Sequence, residues 1–183
     1  MKHTLMFVDD EVNILNSLVR LFRNEGYEIF TATSGAEGLK IVEENEISLI
    51  ISDYKMPHMS GVDFLARVKE VSPDTVRIML TGYADLGASI DAINKGEVYR
   101  FITKPWKDEE IQVTVSQSLE FRDLKLTNRN LTKTVKKQAG VLKKLENHYP
   151  GISEVSRSED GSIVIDEDSL DDESLDEIIK NTL

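Results

Sequence analysis

Five side chains carry the chemistry this sequence offers. Asp9 and Asp10 follow the apolar run Leu5-Met6-Phe7-Val8, and Asp53 follows Leu49-Ile50-Ile51-Ser52. Two later runs end in Met79-Leu80-Thr81-Gly82 and Phe101-Ile102-Thr103-Lys104-Pro105, adding a hydroxyl and an ammonium. If these runs are strands of one parallel sheet, all five groups lie at the edge where open α/β folds place their ligand sites. Three carboxylates gathered there repel one another unless positive charge sits between them, so a divalent cation is the expected occupant. Three acids, a hydroxyl and a lysine suit phosphoryl transfer onto a carboxylate, with cations neutralising the phosphoryl oxygens while fixed groups hold the in-line geometry.

The elements that must position these groups are legible as a βαβ series. Strand-like runs near residues 4–8, 27–31, 48–52, 76–80 and 98–102 alternate with amphipathic stretches of helical length. In the first helix Val12, Leu15, Leu18, Val19 and Phe22 recur at spacings of three and four, and Gly26 is its stop signal. Leu49 to Ile51 and Ile78 to Leu80 are apolar without alternation, as expected of strands covered on both faces. Right-handed crossovers then give a three-layer α/β sandwich.

A fifth helical pattern starts at Asp108 and meets no proline until Pro150; its only glycine is Gly140. Phe121, Leu124, Asn128, Leu131, Val135, Gln138, Leu142 and Leu145 follow the three-four spacing of heptad a and d positions, a coiled-coil seam of about three heptads. Asn128 and Gln138 would weaken the pairing while restricting its register. The stripe must be buried either against a partner, which predicts a homodimer, or by folding back on its own domain. The expected organisation is a globular domain over residues 1–121, a coiled-coil extension over 122–148 and an acidic tail over 149–183.

The formal net charge of −11 is unevenly spread. From Pro150 onward eleven acids face two bases, Arg157 and Lys180, whereas eight bases and two acids lie between Arg122 and Asn147. Overall acidity disfavours general nucleic-acid binding, although the basic stretch leaves that reading open. Asp160-Gly161 between β-prone residues signals a hairpin in the tail, and Ser169 and Ser174 are potential helix caps. The tail's low hydrophobicity and dense like charge favour disorder instead. A chain of 183 residues with 40% hydrophobic content can bury one core and carry an appendage. No apolar stretch approaches a membrane span and no secretion signal precedes the first strand, so a soluble cytoplasmic protein without membrane association is expected. Cysteine is absent, which excludes disulfides and thiolate chemistry. His3, His58 and His148 show no ligand spacing and are expected at the surface.

Val8-Asp9-Asp10-Glu11, Ser52-Asp53-Tyr54-Lys55-Met56-Pro57 followed by Ser60-Gly61, Leu80-Thr81-Gly82 and Lys104-Pro105 stand in an order and at separations that resemble the receiver (CheY-like) domain of two-component response regulators. The resemblance covers about two thirds of the chain. It implies a flavodoxin-like five-stranded sheet of order 2-1-3-4-5. It also implies that Asp53 is the phosphoacceptor for a sensor histidine kinase or phosphotransfer protein, and that the chain is not an enzyme beyond slow autodephosphorylation. Mg²⁺ would be ligated by Asp10, Asp53 and the main-chain carbonyl of Lys55, with Asp9 acting through water, a mostly hydrated site suited to a small hard cation. Lys104 would pair with Asp53 and then with the phosphoryl group, Thr81 and Phe101 would be switch residues, and Lys55 and Tyr83 would modulate the lifetime of the phosphorylated state. Gly61 and Pro105 would be structural, Pro105 as a cis-proline that holds the backbone of the lysine. Phe101 stands where tyrosine is frequent, which removes a hydroxyl contact. Tyr99-Arg100-Phe101 and Trp106 look like receivers attached to hydrogenase-type regulators and cyclic-di-GMP phosphodiesterases; for Trp106, packing on the start of the fifth helix is the simpler role.

The function so implied is a phosphorylation switch with a dimerising helical output and an unidentified downstream protein partner. Two other classes compete. An aspartyl-nucleophile phosphatase needs a second acid two residues after the nucleophile, where this chain has Lys55. A DNA-binding regulator would use the basic helix, but no helix-turn-helix pattern follows the sheet.

Overall fold

The computed structural model describes residues 3–82 and 98–148. The expected fourth helix, Tyr83 and the tail's hairpin and short-helix signals lie outside them. The chain divides into two units, Met1–Leu126 and Thr127–Leu183.

Each apolar run forms a strand: β1 (Thr4–Val8), β2 (Glu28–Ala32), β3 (Leu49–Asp53), β4 (Val76–Gly82) and β5 (Arg100–Lys104). All pair in parallel, in the order β2-β1-β3-β4-β5. Alternate residues of the strands supply two cores. Leu5, Phe7, Leu49, Ile51, Ile78 and Leu80 meet α1 (Val12–Phe22) through Leu15, Leu18 and Phe22, and meet the first turns of the C-terminal helix through Ile111, Val115 and Leu119. On the opposite face Met6, Val8, Ile50 and Met79 join Val42 of α2 (Gly35–Glu44) and Phe64, Leu65 and Val68 of α3 (Gly61–Val71). Burial on both faces explains the unbroken hydrophobicity of the central strands. Each fully buried aliphatic or aromatic side chain contributes roughly 1.5–3 kcal/mol, enough to fix the register despite the charged edge.

The strand ends differ from expectation in a way that matters for the site. β4 runs on to Gly82 and β5 to Lys104 because Thr81 pairs with Thr103 and Gly82 with Lys104. Asp53 likewise closes the β3 ladder opposite Leu80. Val98 and Tyr99 are apolar without belonging to β5; Val98 packs into the core on the α2–α3 side and Tyr99 against the other. The C-terminal helix, α4 (Asp108–His148), is one uninterrupted element of 41 residues. Arg122 anchors it, a buried side chain whose Nε donates to the Asp74 carbonyl at 3.0 Å. Among the described residues no helix is long and apolar enough to cross a membrane.

Gly26, with φ of 80°, turns the chain after α1 into β2 where an L side chain would be strained. Gly61 is required for a different reason. Its N–H donates to the Tyr54 carbonyl at 2.9 Å, and a Cβ there would overlap the carbonyl of Asp53. The first residue of α3 thus packs on the backbone that ends β3. Gly61→Ala is therefore expected to lower stability by roughly 1–3 kcal/mol in a denaturant titration. Gly140→Ala, where an added Cβ meets nothing within 4 Å, should instead stabilise the helix by up to about 1 kcal/mol, read as a higher midpoint in circular dichroism.

Candidate functional site at the carboxyl edge of the sheet

The strand order sets β1, β3, β4 and β5 side by side, so their carboxyl ends share one edge. Asp9 follows Val8 directly and its N–H donates to the Ala32 carbonyl at 3.2 Å, which carries the β1–β2 ladder one step further. Asp53 ends β3, Thr81 and Gly82 end β4, and Lys104 ends β5. Lys104 Nζ lies 2.8 Å from Asp9 Oδ2 and 2.6 Å from Asp53 Oδ1. The other oxygen of each carboxylate accepts from the main chain two residues on: Asp9 Oδ1 from the Glu11 N–H at 2.9 Å and Asp53 Oδ2 from the Lys55 N–H at 2.8 Å. Each acid is thus fixed by one amide and by one ammonium that both acids share, contacts of the charge-assisted kind.

The electrostatics follow from depth. Asp9 is 1% exposed. Burial pushes its carboxyl above the usual 3.8 and outweighs the Lys104 hydrogen bond and the Glu11 amide, while the charge of Asp53 adds to the rise. For Lys104 burial acts downward, but hydrogen bonds and charge from Asp53 and Asp9 win, and the ammonium is held above the usual 10.5. The site therefore keeps its cation through the physiological range.

The structure brings together Asp9, Asp53 and Lys104. Asp10 is exposed beside them, and among the described residues no three His, Cys, Asp or Glu side chains gather as a preformed metal cage. An ammonium, that of Lys104, lies between Asp9 and Asp53. The donor set at this edge is nevertheless all oxygen, with two acids at one point and a third adjoining. That fits a small hard cation that retains most of its water and takes one or two carboxylates.

Thr81 is fully buried in β4, its hydroxyl donating to the Gly82 carbonyl at 3.3 Å. Phe101 lies on the edge strand β5 opposite Met79 and is 36% exposed. The Lys55 side chain is exposed at the rim, the Lys104–Pro105 bond is cis, and Trp106 packs on the core that contains Ile111 and Val115. His58 and His148 are exposed, whereas His3 is half-buried and pairs with Asp123 at 3.3 Å. Sequence reasoning passed over the cap of α3: Ser60 Oγ accepts from the Asp63 N–H at 3.2 Å and donates to Asp63 Oδ2 at 2.7 Å. The Ser-x-x-Asp spacing at the helix start was the available signal.

Two substitutions separate the cation from the charge it neutralises. Lys104→Met leaves two carboxylates facing each other and is expected to cost about 1–3 kcal/mol in urea unfolding. Asp9→Asn should raise stability at neutral pH. A raised native pKa means that the favourable contribution of Asp9 is complete below 3.8 and lost as pH rises through its folded value. The gain from Asp9→Asn should therefore be absent in acid and appear on titration upward; a constant difference across pH contradicts the assignment.

Comparison with known proteins adds to this geometry. Residues 5–116 match the family described as response regulator receiver domain. The hydrogenase transcriptional regulatory protein HoxA of Bradyrhizobium diazoefficiens is 33% identical over 150 residues, which cover 82% of this chain and 31% of that protein. Sporulation initiation phosphotransferase F of Bacillus subtilis is 30% identical over 122 residues, which cover 67% of this chain and 98% of that protein. The solved structure of a response regulator receiver domain protein from Clostridium thermocellum is 33% identical and superposes with a TM-score of 0.63, over 67% of this chain and 98% of the other. This chain spans under a third of the length of the hydrogenase regulator, so the likeness to that protein concerns its receiver portion. With its sheet order, its acid-lysine edge and these matches, the chain belongs to the receiver family of two-component response regulators, the phosphoacceptor modules of phosphorelay signalling.

Proposed function

We propose that this chain is a phosphorylation switch in a His-Asp relay, with Asp53 as phosphoacceptor and α4 as a dimerising output. The observation that carries the first part is the contact of Lys104 with Asp53 Oδ1, which presents a buried carboxylate beside a cation at the carboxyl edge of the sheet. A carboxylate oxygen of Asp53 attacks the phosphorus of a phosphohistidine on a sensor kinase or phosphotransfer protein. The O–P bond forms as the donor's N–P bond breaks, and the departing imidazole takes up a proton. Lys104 then exchanges its contact with Asp53 for one with a phosphoryl oxygen. Thr81 turns its hydroxyl toward the same group, and Phe101 moves into the space that Thr81 vacates. Asp10, Asp53 and the Lys55 carbonyl would hold Mg²⁺, with Asp9 acting through water, and the ion would neutralise charge on the phosphoryl oxygens. Lys55 and Tyr83, each two residues beyond a reacting side chain, set the lifetime of the acyl phosphate. Lys55 also occupies the place where an aspartyl phosphatase carries its second acid, so turnover is not this site's role.

The output reading rests on α4. Leu124, Leu131, Val135 and Leu142 are 59–71% exposed, and all fall on the heptad seam. Apolar side chains repeating along one stripe of a helix call for a cover, and a second copy of the same stripe is the occupant that its a and d spacing fits. The receiver domain over residues 1–121, the coiled-coil extension over 122–148 and the tail over 149–183 would then be the switch, the dimer element and a separate acidic segment.

Incubation with acetyl phosphate and Mg²⁺ should add the mass of one phosphoryl group on the peptide containing Asp53. The gain should vanish in Asp53→Asn and on chelation. Light scattering should give a dimer that Leu131→Asp with Leu142→Asp converts to monomer. A monomeric wild type removes the output reading and leaves the phosphoacceptor intact.

A further inference from the structure

A cleft opens at the amino edge of the sheet, on the side away from Asp9, Asp53 and Lys104. It measures about 390 Å³ and lies between the start of β4, the residue before β5 and the part of α4 around Phe121, wholly within the unit Met1–Leu126. Tyr99 and Phe121 make its aromatic wall, stacked with ring centroids 5.0 Å apart and planes 22° from parallel. Three cations and one acid also line it, Arg77, Arg122, Lys125 and Asp74. Phe121 and Lys125 stand four residues apart on α4, so ring and ammonium share one face of the helix.

The three cations are placed differently. Arg122 is buried and committed: its Nε donates to the Asp74 carbonyl, and its terminal nitrogens lie 3.4 Å from Glu46 and 3.7 Å from Asp123, two acids outside the cleft. Arg77 is half-buried and donates to the Thr75 carbonyl at 2.7 Å, and burial holds its guanidinium below the usual 12.5. Shelter from water strengthens the attraction of such a group for an anion. Lys125 is exposed at the rim. The dimensions suit a small molecule. Small-molecule sites measure roughly 300–1,000 Å³ and combine apolar or aromatic walls with a few polar groups. A stable protein partner covers about 20–30 residues a side, whereas ten of the described residues line this cleft.

We propose that this amino-edge cleft binds a small aromatic carboxylate, with its ring against Phe121 and Tyr99 and its carboxylate on the Lys125 ammonium. Offset or edge-to-face contact with the two rings sets the plane of the ligand, and the ammonium at the rim sets which end points outward. An uncharged ring makes only the first contact, and an acid without a ring only the second. The cleft shares no residue with the phosphoacceptor edge, so it gives the chain a chemical input separate from Asp53.

Titration of the isotope-labelled full chain with phenylacetate, followed by amide NMR, tests this directly. Saturable shifts are expected at residues 75–77, at Tyr99 and at residues 121–126, with acetate and benzyl alcohol each binding several-fold more weakly. Lys125→Gln should weaken phenylacetate by about fivefold and leave benzyl alcohol unchanged. Phe121→Leu should weaken phenylacetate and benzyl alcohol alike, by about fivefold. The Lys125 side chain is exposed and no part of the core, so its variant keeps the test decisive even where Phe121→Leu loosens the fold. Shifts that stay linear in ligand concentration or fall elsewhere on the surface, equal binding of acetate or benzyl alcohol, or unchanged phenylacetate affinity in Lys125→Gln would each overturn the proposal.

Discussion

One ammonium shared by two carboxylates governs this site. Asp9 is buried deeply enough for its charge to be costly, and Asp53 lies beside it at the end of the neighbouring strand. Lys104 reaches both, at 2.8 and 2.6 Å, from a strand three places from that of Asp9 and two from that of Asp53. The opposing tendencies are plain in the lysine itself, where burial favours the neutral amine and the two acids favour the cation. The acids prevail because each holds its second oxygen on a main-chain amide and so presents the first in a fixed place.

The same segment that delivers this cation also leads into α4. Phe101, Lys104, Pro105 and Trp106 fall within six residues, and α4 begins at Asp108. Trp106 is packed on the core through which Ile111 and Val115 fasten the helix, and Arg122 fastens it again on the Asp74 carbonyl. On the proposed function, a change of partner at Lys104 therefore occurs at the root of the element taken as output. Thr81 is buried at the end of β4 and Phe101 lies part-exposed on the edge strand β5, the two residues to which the proposed function gives the switch.

Much of this was legible in the sequence because the signals were periodic. Unbroken apolar runs marked strands covered on both faces, and the acids and lysine at their ends marked one edge of the sheet. The long helix showed in the absence of proline between Asp108 and Pro150. The pairing of Lys104 with Asp53 was implied by the resemblance, but its second contact, with Asp9, was not legible, since spacing cannot say how far across β4 and β3 the side chain reaches. Asp10, next in sequence to a buried acid, is exposed because successive side chains leave a strand end in different directions. Val98 and Tyr99 read as strand from their type, but their hydrophobicity serves packing before the ladder begins. The close approach of Gly61 to the Asp53 carbonyl depends on how α3 returns to β3, which one glycine in a loop does not disclose.

The most direct test of the central interaction is an alkaline NMR titration of the Lys104 ammonium in protein with isotope-labelled lysine. The account predicts a midpoint above 10.5 that drops when Asp53 is replaced by Asn, because the acids outweigh burial. A wild-type midpoint at or below 10.5 would contradict it, since desolvation would then prevail and Lys104 would not be the cation that holds the two carboxylates together.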